Sequence, residues 1–206
     1  TDTLTKKGLI WTIIVWVILT IINYYYMNFF FLAFIWLGLT LTLFVLTIIQ
    51  LVKTIKERKT LTKLRVAKLL TFSLIFLLTF YRHKSNLLIE KIDWIILENK
   101  RNEIVGQVKN NELNPNVSWN SWVCKLPFDF PIVSNGGNDI LILRNEENDG
   151  ITIKFWVFRN YFDSPSTYFV YSDDPIEMKI LDEKVNETPE FNWKINENWY
   201  REYGDF

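Results

Sequence analysis

From Gly8 to Val52 the sequence contains no aspartate, glutamate, lysine, arginine or histidine. A helix resting on a soluble core carries a polar face, so this stretch excludes an ordinary water-exposed segment. At forty-five residues it is also too long for one membrane crossing, which takes about 20 apolar residues. Two crossings therefore share it and turn at "NYYYMN" (Asn23 to Asn28), where asparagines and half-buried tyrosine rings suit the membrane–water boundary. The expected result is a tight hairpin of helices at about 8–25 and 29–52. The first apolar stretch is too long for a signal sequence and has no small-residue cleavage pattern after it, so it is expected to be retained. The same lack of intramembrane charge excludes the proton and ion relays of pumps and coupled transporters. No proline breaks these helices and Gly38 has no small partner, so the region reads as an anchor or as a bundle for partner helices.

Cysteine and histidine occur once each, as Cys124 and His83. One cysteine excludes an internal disulfide, leaving the C-terminal part to stand on its core, with Cys124 expected to be a buried thiol. One cysteine and one histidine do not make a four-ligand zinc site, and a Cys124–His83 nucleophile pair has no orienting third group. The adjacent glycines of "SNGGND" (Ser134–Asp139) precede a strand, whereas a phosphate-cradling loop opens a helix; a turn is expected. Asp163, Asp173 and Asp174 lack the alternating acidic spacing of a calcium loop. No catalytic residue, metal site or cofactor is expected.

What is present divides in two by charge. Residues 1–81 hold nine Lys/Arg against two acids, whereas residues 82–206 hold fourteen against twenty-one. Seven of the cations (Lys53, Lys56, Arg58, Lys59, Lys63, Arg65 and Lys68) fall in "KTIKERKTLTKLRVAK", a short basic loop, 53–68, of the kind retained in the cytoplasm. The apolar run Leu69–Tyr81 is only thirteen residues, but it can begin near Val66 if Lys68 snorkels its amine to the interface. A third crossing at about 66–81 is then expected. The N-terminus would be cytoplasmic, residues 1–81 an anchor in the plasma (inner) membrane, and residues 82–206 an extracytoplasmic domain.

Beyond Tyr81 helical spacing continues, with Leu88, Ile92, Ile95 and Ile96 on one stripe and Glu90, Lys91, Asp93, Glu98 and Lys100 on the other. One helix from about 66 to 108 is expected, half in lipid and half against the domain. The period then changes to two. Strands are expected at Asp139–Arg144, Ile151–Arg159, Ser166–Ser172 and near Trp193, and a helix after an Asp cap at Pro175, with Ile176, Ile180 and Leu181 on one side. The fold class is a membrane-anchored α+β protein, a small antiparallel sheet packed with helices.

Nineteen Phe, Trp and Tyr residues lie in 82–206. On "ITIKFWVF", Trp156 and Phe158 alternate with isoleucines, so either each sheet face has a helix or one face is meant for a partner. Trp156, Phe158, Arg159 and Tyr161, with Trp119 and Trp122 of "SWNSWV", have the composition of a protein-binding hot spot. The acidic domain favours a basic protein partner and has no basic stripe for nucleic acid. The architecture resembles that of bacterial envelope accessory proteins, including membrane-bound immunity proteins against antibacterial toxins. Asn-, Ile- and Lys-rich usage agrees with an AT-rich bacterial genome. The expected function is a membrane-tethered, non-catalytic binding protein. The alternatives are a structural or sensing subunit that forms homo- or hetero-oligomers through its membrane helices, and an envelope hydrolase using paired carboxylates.

Overall fold

The computed structural model describes residues 5–26, 29–159 and 165–204. Among them are five α-helices and six β-strands, an α+β protein in two compact units, Thr1–Lys91 and Ile92–Phe206.

In the first unit α1 (Lys6–Tyr25) is capped by Thr5, whose hydroxyl accepts from the Gly8 amide, and α3 (Lys63–Phe80) likewise by Thr62. Threonine is tolerated in these apolar helices because its hydroxyl donates to a carbonyl one turn back, as Thr20 does to Trp16 and Thr47 to Leu43. Among the described residues two helices are long and apolar enough to cross a membrane: α1, and the segment Phe34–Lys56 of α2 (Phe29–Lys56). These two candidate spans are consistent with membrane association through the N-terminal part. Both α1 and α2 pack on α3, and α2 does so more than it packs on α1. Leu9, Leu43, Phe72 and Ile75 form the seam, and the Trp16 indole N–H donates to Thr79 Oγ1 at 2.9 Å.

Much of the expected basic loop is helical. Lys53 and Lys56 end α2, while Lys63, Arg65 and Lys68 lie in the first turns of α3. Arg65 is buried and grips Glu57 with two hydrogen bonds, at 2.8 and 2.9 Å, and Gln50 with a third, at 3.1 Å. Lys68 is buried too, so the exposed cations here are Lys56, Arg58, Lys59 and Lys63.

The single helix expected over 66–108 is instead two. α3 stops at Tyr81, whose ψ of 43° leaves the helical region, and α4 (Arg82–Lys109) starts afresh. The Ser85 hydroxyl donates to the Leu78 carbonyl, one of those a helix end leaves open.

In the second unit the sheet is antiparallel throughout, in the order β1-β2-β3-β4-β6-β5. Its strands are β1 (Val123–Lys125), β2 (Asp139–Arg144), β3 (Ile151–Phe158), β4 (Ser166–Ser172), β5 (Trp193–Lys194) and β6 (Trp199–Gly204). β1 and β6 are additions to the expected strands. β1 is three residues long and β6 alternates weakly, "WYREYG" placing charges among aromatics. Both edge strands are short, which limits pairing with other chains.

Cross-strand partners share a face. Ile140, Phe155, Phe169 and Arg201 stand in register on one face, and α4 covers it. Trp94 of α4 packs its ring 5.1 Å from Phe169 and 4.9 Å from Trp199, with Ile104, Val105 and Val108 buried beyond it. The opposite face carries Leu141, Trp156, Tyr168, Val170 and Tyr200, against Leu181 of α5 (Pro175–Glu187). Both faces are thus roofed by helices. α5 starts as expected, with Asp174 as N-cap and Pro175 in its first turn, but buries Leu181 and leaves Ile176 and Ile180 exposed.

α4 differs from its expected orientation. Leu88, Ile92, Ile95 and Ile96 are all exposed, whereas Asp93 and Arg101 are buried. The Arg101 guanidinium bonds the Asp93 carboxylate, donates to the Val133 carbonyl at 3.0 Å and lies 4.7 Å over the Phe169 ring. The pair satisfies its own charges inside the domain, and this frees the aliphatic stripe to face outward.

Candidate partner-binding surface

The five described candidates, Trp119, Trp122, Trp156, Phe158 and Arg159, do not form one patch. Trp156 lies in the α5-side core, 6% exposed, with its ring 5.8 Å from that of Tyr168. The strand register shifts between Trp156 and Phe158, so that Phe158 stands opposite Thr167 and leaves the face that carries Trp156. Strict alternation missed this bulge. The half-buried Arg159 lies 4.6 Å over the Trp156 ring and pairs with Asp139 at 3.5 Å. Tyr161 and Asp163 lie outside the described residues, as does the side chain of His83.

Trp119 and Trp122 are exposed, at 64% and 48%. They sit on the loop between α4 and β1, and its geometry explains why they stay there. Val117 and Asn120 form an isolated bridge, and Asn120 accepts from the Trp122 amide through its side chain at 2.8 Å and from the Val123 amide through its carbonyl. Asn116 accepts from the Lys125 amide (2.8 Å) and donates to the Lys125 carbonyl (2.9 Å), fastening the loop to the outer edge of β1. The Trp122 carbonyl accepts from the Ile142 amide at 2.8 Å. Trp119 is thereby held at the tip of a tied turn. The loop backbone is tied before any partner binds, which lowers the entropy cost a partner would bear.

Beside Trp122 a groove of about 300 Å³ is lined by Pro115, Ser121, Trp122, Ile142, Leu143 and Arg144. Arg144 donates to the Val108 carbonyl and to Asn114 Oδ1, which fixes its place on the rim. The next loop brings the exposed acids Glu146, Glu147 and Asp149 directly after it. The surface therefore combines two exposed indoles with a shallow groove that has Arg144 in its lining, and Glu146, Glu147 and Asp149 follow Arg144 in sequence.

Other candidate chemistry is committed elsewhere. The side chain of Asn138, in "SNGGND", accepts from the Val133 and Ser134 amides and donates to the Phe128 and Pro131 carbonyls. Asn135 reaches the Trp156 and Val157 carbonyls, while Gly136 and Gly137 take φ of 87° and 128°. These residues build a turn that clasps β3. Asp173 pairs with Lys109 at 2.7 Å. Burial pushes its carboxyl up, but Lys109 and the Ile151 amide outweigh burial and hold it below its ordinary range. Asp174 is spent on capping α5. Glu202 lies buried between Lys154 and Lys184. Cys124 is buried, and burial followed by the nearby Asp139 raises its thiol pKa. Among the described residues no three His, Cys, Asp or Glu side chains gather as a metal site.

Comparison of the chain with protein-family models, with curated proteins and with solved structures finds no match.

Proposed function

We propose that this is a membrane-tethered binding protein whose C-terminal domain captures a basic protein partner through Trp119, Trp122 and the adjoining groove. The observation that carries this reading is a pair of exposed indoles on a hydrogen-bonded loop. Exposed tryptophan beside a groove is the side chain that most often dominates a protein interface. The acidic balance of residues 82–206 supports a basic partner, by steering its approach. In this reading α3 makes a third crossing, the N-terminus and the Lys56–Lys63 cations stay in the cytoplasm, and the domain lies outside. Immunity against a secreted antibacterial toxin is the specific form we favour, because such a protein needs tethering and capture and no turnover.

The test is affinity capture on the full chain in nanodiscs. A stoichiometric basic protein should bind the unaltered chain and lose at least roughly tenfold in affinity to a Trp119→Ala/Trp122→Ala variant, since two interface tryptophans of hot-spot type exceed ~2 kcal/mol together. Equal binding by both chains would refute this surface as the site.

A further inference from the structure

α4 has an inverted pattern over its first half. Leu88, Ile92, Ile95 and Ile96 are 61%, 49%, 75% and 69% exposed. Their spacing of four, three and one puts them on one side of the helix. The acids of the same stretch are turned inward, Glu90 buried and Asp93 buried against Arg101. The domain core does not need the stripe, because Trp94, Ile104, Val105 and Val108 already cover the sheet.

The surroundings of the stripe identify what covers it. Between residues 84 and 96 the exposed charged residues are Lys84 and Lys91, both cations. Long lysine stems beside an aliphatic stripe place ammonium groups among anionic headgroups while the aliphatic side chains enter the acyl region. The apolar character stops where the exposed residues become Asn99, Asn102 and Glu103. α3, which ends one residue short of α4, exposes Leu70, Leu74, Leu77 and Phe80, so exposed apolar side chains precede the stripe in sequence as well. A second copy fits less well. Four side chains fall far short of the ~800 Å² per partner of a stable interface, and a symmetric pairing would bring together the lysines that flank the stripe.

We propose that α4 from Leu88 to Ile96 lies in the membrane interface, with Leu88, Ile92, Ile95 and Ile96 in the outer acyl region and Lys84 and Lys91 at the headgroups. The bilayer then acts as a third packing surface and holds the domain against the membrane through α4. This inference is independent of partner capture.

The test uses the full chain in phosphatidylcholine vesicles containing a minority of phosphatidylglycerol. An environment-sensitive fluorophore is attached at Ile95→Cys, at Leu88→Cys, and at Glu147→Cys as the aqueous control; the buried Cys124 stays unlabelled. Lipids brominated at the depth of about 5–10 Å that interfacial helices reach should quench both stripe probes at least roughly twofold and leave the control bright. Stripe probes that emit as the control does, unquenched, overturn the proposal. So does a blue shift that grows with the protein-to-lipid ratio while bromine has no effect, which would assign the stripe to a second copy. Two probe positions guard against one substitution disturbing the fold.

Discussion

Glu202 shows how much one residue can carry in a small acidic domain. It is 1% exposed on β6 and bonded to Lys154 at 2.8 Å and to Lys184. Burial pushes its carboxyl up, and the two ammonium groups more than reverse that, so its folded-state pKa lies below the unfolded one. Its contribution to stability is therefore present above the unfolded value of about 4.3 and is lost as pH falls through the folded value. Glu202→Gln leaves Lys154 buried with its charge unmatched, a loss of about 3–5 kcal/mol. Thermal unfolding of the detergent-solubilised chain, followed by tryptophan fluorescence, should show a lower Tm at pH 7 and a shallower fall between pH 5 and 3 than the parent. Parallel acid limbs would exclude this role. Trp119 is the opposite case: its side chain is 64% exposed, and its truncation should change stability by less than about 0.5 kcal/mol.

At the scale of elements, caps and strand irregularities decide what each segment presents. Asp174 both caps α5, accepting from the Ile176 amide at 3.0 Å, and holds Asn145 and Asn148 of the β2–β3 loop at 2.9 and 2.8 Å. Asp174→Ala removes the cap and both loop bonds, and urea unfolding should show a loss of at least about 2 kcal/mol. Asp174→Asn keeps an oxygen acceptor for the cap and should recover about half; an alanine variant as stable as the parent would refute the joint role. The bulge after Trp156 and the stop at Tyr81 act in the same way. Each changes which way the following side chains point without any change in composition.

At the scale of the whole chain, the separation of charge is the organising feature. A cationic half carrying the apolar helices precedes an acidic half, and Lys56, Arg58, Lys59 and Lys63 remain exposed where α2 gives way to α3; the proposed topology makes that the cytoplasmic side. An impermeant maleimide applied to intact cells should label Glu147→Cys and spare Lys59→Cys; the buried native thiol does not compete. Protection at both positions would mean that α3 does not cross and would place the domain in the cytoplasm, removing the immunity reading with it. Labelling at both positions would reverse the assigned orientation of the basic loop.

The sequence alone determined the two long apolar helices, because a run without charge has one solvent in which it is stable. It also determined the α+β class, strands β2 to β4 and the capped start of α5, because period, turn residues and an Asp-Pro pair are local signals. Tertiary structure decided the rest. Whether an aromatic is core or surface depends on what covers it: Trp156 and Trp122 are each followed by a valine, yet Trp156 packs with Leu181 of α5 and a tied loop leaves Trp122 about half exposed. The outward turn of the α4 isoleucines was likewise illegible, since it follows from Asp93 and Arg101 neutralising each other in the core. Such pairing depends on atoms meeting in space, and helical spacing alone does not report it.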